Sequence, residues 1–189
     1  MKFPILTAVI SVVIVTLYIV FGANPETLVW QRGSHDMWRW VSGHFVHISG
    51  THLIWNLCAF IILGSIIEQH RKHELLIGLI IGAVVINVYL ATGYDLPAYA
   101  GLSGVLNSLL VIALYRLCDS HIYRNAAILT LVGSMLKIIV EINSGTSLVS
   151  HLAWPPVPQA HLLGWLAGIT LCIMINTSKR YHFKIAHKV

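Results

Sequence analysis

Charge is what this sequence has least of. Lys, Arg, Asp and Glu make up 10% of its 189 residues, where soluble domains carry about 25%. That shortage, with a 57% hydrophobic share and a mean hydropathy of +0.77, excludes an ordinary soluble domain. The expectation is an integral membrane protein, with residues 1–189 forming one compact helical bundle. Cysteine is scarce too. Cys58, Cys118 and Cys172 fall in or beside apolar segments with no spacing that suggests a disulfide or a metal site, and read as reduced packing residues. There is no stripe of interleaved basic and aromatic residues. The net charge of +5 therefore does not read as nucleic-acid binding, and the basic residues serve better as markers of topology.

What is present is apolar length. A membrane span needs about 20 mostly apolar residues. Six segments qualify, at about 4–23, 50–67, 75–92, 101–117, 125–142 and 159–177. The first resembles a signal peptide in outline. It is long, its basic flank is only Lys2, and no small-residue cleavage site follows, so it reads as a helix. Orientation follows from Lys and Arg. One alternate set of connecting segments holds Lys2, Arg71, Lys72, Arg116, Arg124, Lys179, Arg180, Lys184 and Lys188. The opposite set holds Arg32 and Arg39. This bias puts both termini in the cytoplasm, with the 24–49 segment and the 93–100 and 143–158 loops facing outward.

Polar residues within spans are costly and usually functional. In span 2, His52 lies 15 residues before Ile67, about 22 Å at the helical rise. In span 4, Ser103 lies 14 residues before Leu117, about 21 Å. In span 6, His161 lies 16 residues before Thr177, about 24 Å. Three outside-to-inside helices thus deliver polar groups to one level, about 6–9 Å below the outer edge of a hydrocarbon layer of about 30 Å. Asn56 is one turn deeper than His52 on the same face.

Small residues argue that spans 4 and 6 touch. Gly104 and Ser108 in span 4, and Gly164 and Gly168 in span 6, have the four-residue spacing that permits close approach in lipid. Such a contact would bring the Ser103 hydroxyl to a ring nitrogen of His161. Serine becomes a nucleophile when a base takes its proton, and histidine is the usual base. His52 and Asn56 would then donate to a developing oxyanion, with a backbone N–H near Ser103. A serine in a membrane helix also reads as a packing residue, and a histidine at a helix end as an interfacial one. Spacing alone leaves both readings open.

The motifs carry more. Residues 38–56, "WRWVSGHFVHISGTHLIWN", contain His47, His52 and Asn56 in an H-x-x-x-x-H-x-x-x-N pattern. Span 4 opens with "GLSG" at 101–104, and span 6 with "AHLLGWLAG" at 160–168. Order and spacing together resemble the rhomboid family of intramembrane serine proteases. The resemblance implies an all-α, polytopic fold, a six-helix rhomboid-like bundle in a bacterial inner membrane, with its active site toward the outer, periplasmic face. It implies Ser103 as nucleophile, His161 as general base and acid, and His52, Asn56 and the Ser103 N–H as oxyanion donors. His47, Gly101, Gly104 and Gly164 would be structural residues near the site. No cofactor, no metal and no catalytic carboxylate are implied, since the family uses a dyad. The implied partners are the bilayer and a membrane-anchored protein substrate.

One position departs from the family. Many members place an aromatic residue four positions after the serine, stacked on the histidine; here it is Asn107. Orientation of the base is expected from Asn107 or Trp165. "WRWVSGHFVH" and the "LKIIVE" of span 5 also look like the rhombosortase subgroup, which is thought to process proteins ending in a Gly-Gly motif, one membrane helix and basic residues. Lys137 and Glu141, one turn apart near the outer end of span 5, read as an ion pair, or with Asn107 as candidate substrate contacts.

Two rival readings compete with this one. His44, His47 and His52 cluster in the manner of haem or metal ligands, but His47 and His52 are five apart and do not share a helical face. "HELLI" at 73–77 begins like a zinc-protease H-E-x-x-H and ends in Ile77. The second rival is a catalytically inactive rhomboid-like binding protein, against which the chain keeps both Ser103 and His161.

Overall fold

The computed structural model of the chain describes residues 3–92, 96–145 and 157–186, with side chains of the last helix described as far as Thr177. The elements are almost all helical: α1 (Ile5–Phe21), a short α2 (Arg39–Ser42), α3 (Gly50–Thr92), α4 (Ser103–Leu117), α5 (Arg124–Ser144) and α6 (Pro158–Ala186). The all-helical expectation needs one small correction. Trp30 and Gln31 (β1) pair antiparallel with Ala98 and Tyr99 (β2), Trp30 opposite Tyr99. Two extended loop segments meet there and satisfy each other's backbone groups.

The expected second and third spans emerge as the 43-residue α3. Arg71, at φ −156° and ψ 100°, leaves the helical region and divides it into 50–70 and 72–92. A Cβ on Gly101 would strike His52, and one on Gly104 would strike Ile86. Residues from both halves of α3 thus reach the same turn, so the halves run in opposite directions. Among the described residues three helices are long and apolar enough to cross a membrane: α3, α5 and Pro158–Thr177 of α6. Helices α1 and α4 are apolar but shorter.

Helix α4 is the centre of the bundle. Ten of its 15 residues are buried, as expected of a helix apolar on nearly all sides and surrounded by others. Its main neighbours are α3 and α6. The approach to α6 is set by glycine. A Cβ on Gly164 would stand 1.9 Å from the Gly104 carbonyl oxygen, and one on Gly168 would stand 2.7 Å from that of Ser108. The small-residue faces read from the sequence are therefore the α4–α6 interface, and the helices run parallel. The outer faces of the bundle stay apolar, with Ile54, Trp55, Ile62, Ile80 and Leu129 at least 60% exposed, a surface that lipid covers and water does not favour.

Charged groups are used sparingly and in pairs. The Glu68 carboxylate on α3 accepts the Leu6 and Thr7 backbone N–H groups at 2.9 and 2.8 Å, and the Thr7 hydroxyl at 2.8 Å. It does for the start of α1 what a local capping side chain would do, since Pro4 offers none. Nearby, Arg116 of α4 and Glu74 of α3 form a buried two-point ion pair, Arg116 Nε lying 2.7 Å from Glu74 Oε2. Helix α5 is held more lightly, with only Ala127, Ile138 and Glu141 of its 21 residues buried.

Candidate active site

The ends of α3, α4, α5 and α6 and the outer loop converge at one end of the bundle. Helix α3 begins under a side-chain cap: Ser49 Oγ accepts the His52 backbone N–H at 3.2 Å. This fixes His52 in the first turn, half-buried, with Asn56 one turn on and 6% exposed. Helix α4 begins at Ser103 with no capping side chain at Leu102, and the first N–H groups of a helix have no partner within it. These groups and the positive end of the helix face the site. The turn before Ser103 requires glycine. Gly101 has φ +114°, and a Cβ there would lie 2.6 Å from the His52 ring and 3.9 Å from Asn56 Nδ2. Its N–H is donated to the Gly43 carbonyl at 2.8 Å, which ties the turn to the outer loop.

The expected reactive pair is in contact. Ser103 Oγ lies 3.0 Å from His161 Nε2, joining α4 to α6 across 58 residues of sequence. His161 is 8% exposed and Ser103 is half-buried. Asn56 Nδ2 is buried and has no hydrogen-bond partner among the described residues. An amide donor standing ready in this place is what a transient negative charge would use.

The outer loop braces this end. Arg39 donates to the carbonyls of Glu26 and Val29, the latter at 2.8 Å, and pairs with Asp36 at 2.8 Å. His47 is fully buried, donates Nδ1–H to the Phe45 carbonyl at 3.1 Å, and sets its ring edge-on to His52 with centroids 4.9 Å apart. Burial, and secondarily His52, lowers its pKa to about 3 against the pull of the Phe45 bond, so it is neutral. His44, named above only in the metal reading, is buried in the same loop. Its Nε2–H is donated to Asn87 Oδ1 at 2.9 Å, and Asn87 in turn donates to the Trp40 carbonyl at 2.9 Å. Burial lowers its pKa as well, opposed by the Asn87 bond.

Orientation of His161 does not come from the residues expected. Asn107 Nδ2 donates back to the Ser103 carbonyl at 2.9 Å, and the Trp165 indole donates to Ser134 Oγ at 3.2 Å. The partner is a carboxylate. Glu141 Oε2 lies 3.3 Å from His161 Nδ1, and Glu141 Oε1 lies 2.7 Å from Lys137 Nζ. The resemblance implied no catalytic carboxylate, yet a carboxylate does reach the histidine. Depth along the three inward-running helices leaves out α5, which runs the other way. Counted from residue 125, where span 5 starts, Glu141 is 16 residues along, about 24 Å and level with His161. The Lys137–Glu141 ion pair exists as read, but Glu141 is fully buried while the Lys137 side chain is 38% exposed. Among the described residues no group of three or more His, Cys, Asp or Glu could hold an ion. The cysteines are free, Cys172 buried but Cys58 exposed on the outside of α3 rather than packed. The "WPPVP" segment before α6 lies largely outside the described residues.

Comparison with known proteins gives the family. The chain is similar to the rhomboid protease GlpG of Haemophilus influenzae, 33% identical over 81 residues that cover 43% of this chain and 42% of that protein. It is also similar to GlpG of Photorhabdus laumondii, 27% identical over 110 residues, 56% of this chain and 39% of the relative. The matched stretches span less than half the length of these relatives. Residues 34–178, from the outer loop through α6, match the Rhomboid domain, and the chain belongs to the rhomboid family.

Proposed function

We propose that the protein is an intramembrane serine endopeptidase. The observation that carries this reading is the 3.0 Å contact of Ser103 Oγ with His161 Nε2 between two separate helices. His161 takes the Ser103 proton as Oγ attacks the scissile carbonyl carbon. The carbonyl oxygen becomes an oxyanion, met by His52, by the Asn56 amide and by the Ser103 N–H. His161 then gives the proton to the departing amine as the C–N bond breaks, leaving an acyl-enzyme on Ser103. A nucleophile, activated by the same histidine, releases it. Water gives hydrolysis; an amine acceptor gives transfer.

The Lys and Arg distribution supports six spans, counting the two halves of α3 separately, with cytoplasmic termini. The site then opens toward the outer face of a bacterial inner membrane, about 6–9 Å below the hydrocarbon edge. The substrate class is a protein held by a membrane helix. The "WRWVSGHFVH" and "LKIIVE" stretches favour rhombosortase-like processing of C-terminal Gly-Gly tails, with Lys137 as a candidate substrate contact.

Labelling of the purified protein by a fluorophosphonate tests the nucleophile. We expect labelling of wild type and none of Ser103→Ala. A folded wild type that does not label would sink the protease reading in favour of an inactive binding protein. Co-expression with a protein bearing a Gly-Gly tail, followed by mass spectrometry of the new C-terminus, tests the substrate class. The product mass reads both the bond cut and any group added.

A further inference from the structure

We infer that Glu141 is the positioning residue for His161, so that the reactive unit is a Ser103–His161–Glu141 relay spread over three helices rather than a pair. This rests on the serine protease reading above and extends it to a residue outside the expected pair.

The relay follows from which atoms meet. An imidazole that accepts the Ser103 proton at Nε2 must carry its own hydrogen on Nδ1. Glu141 Oε2 stands 3.3 Å from Nδ1 and, as an acceptor only, favours the tautomer with that hydrogen in place. Nε2 is then the free lone pair, 3.0 Å from Ser103 Oγ. When the proton arrives, the ring becomes a cation with a carboxylate already beside it. No water need reorganise, because Glu141 is fully buried and His161 nearly so. A buried carboxylate is costly unless paired, and Lys137, 2.7 Å away at Oε1, supplies the pair from a half-exposed position. Asn107 donates to the Ser103 carbonyl instead of stacking as an aromatic would, and the ring is held at its Nδ1 edge.

The placement has a second consequence. Glu141 is one of only three buried residues on α5, and its contact is the polar link from that helix to the reactive pair. Glu141 reaches His161 from α5, whereas the Ser103–His161 distance is set by the close approach of α4 and α6 at Gly104 and Gly164. The rate is therefore tied to the seating of a lightly packed helix.

The test uses the full-length protein and a fluorophosphonate probe, with Ser103→Ala as the blank. Glu141→Gln keeps the volume and removes the charge. Its maximal labelling rate is expected to fall by at least about 10²-fold, the low end of what acid–base assistance contributes. The probe concentration at half-maximal rate should stay near that of wild type, and Glu141→Asp should recover part of the loss. A purely structural role would instead move the half-maximal concentration, or leave Glu141→Asp as slow as Glu141→Gln. Nitrogen-15 NMR of histidine-labelled wild type provides a second readout that needs no folded Glu141 variant. A far-downfield ring N–H absent from His161→Ala is expected for Nδ1–H bonded to a carboxylate. A Glu141→Gln protein that labels as fast as wild type, or a His161 ring protonated at Nε2 in wild type, overturns the relay. Loss of labelling in wild type itself would overturn the protease reading and is a separate result.

Discussion

Replacement of Gly164 by alanine adds one methyl group at the point where the site is held together. The new Cβ would lie 1.9 Å from the Gly104 carbonyl oxygen and 3.0 Å from its carbon. Both are backbone atoms of α4 and cannot swing aside. Ordinary contact begins near 3.4 Å, so α6 must back away by the difference between 3.4 and 1.9 Å, about 1.5 Å. His161 is one turn earlier on the same helix and moves with it, away from Ser103. Overpacking of a tight core costs about 1–3 kcal/mol, and a misplacement of about 1 Å at a reacting group costs about 10²-fold in rate. We therefore expect Gly164→Ala to unfold at lower temperature in detergent and to label with fluorophosphonate at least about 10²-fold more slowly. Gly133→Ala is the matched control. Nothing lies within 4 Å of its added Cβ, on the open face of α5, and alanine is the better helix former. It should label at the wild-type rate with unchanged or slightly raised stability. A Gly164→Ala protein that labels as fast as wild type would refute the account of the α4–α6 crossing as the device that sets the Ser103–His161 distance.

Further outcomes follow from the charged and titratable groups. Removing one member of the buried Glu74–Arg116 pair, as in Arg116→Ala, strands a carboxylate and should cost about 3–5 kcal/mol, read as a large drop in unfolding temperature. The Glu74→Leu, Arg116→Met double variant should recover much of that loss, because no charge is left unpaired. His47 is neutral in the fold with a pKa of about 3, whereas the unfolded chain takes up its proton near 6.5. The unfolded state binds more protons between those values, so stability present above about pH 6.5 is lost as pH falls toward 3, by about 1.4 kcal/mol per pH unit at most for this group. Thermal unfolding from about pH 7 to about pH 4 should show that slope, shallower in His47→Phe.

Much of the site could be read from the chain because a membrane restricts the options. Helices must cross a layer of fixed thickness, so counting residues from one edge puts His52, Ser103 and His161 on one level before any packing is known. Glycine spacing at 164 and 168 names the face of α6 that meets α4, since only small residues let two backbones come that close. Scarce charge identifies the solvent the protein was built for.

Rotation and partners about each helix axis were not legible in this way. Lys137 and Glu141 read as a local pair because they are four apart. Only the packing of α5 turns Glu141 inward to His161 and leaves Lys137 half-exposed. Asn107 sits at the expected position for a contact with the base, yet its amide folds back onto the Ser103 carbonyl of its own helix. His44 had no partner in sequence, since Asn87 is 43 residues away. The break at Arg71 and the β1–β2 pairing likewise depend on contacts between distant segments. The sequence by itself determined which residues lie at which depth, through hydrophobic length and helical rise. The tertiary structure decided which way each of them faces, because that depends on the neighbours a helix finds.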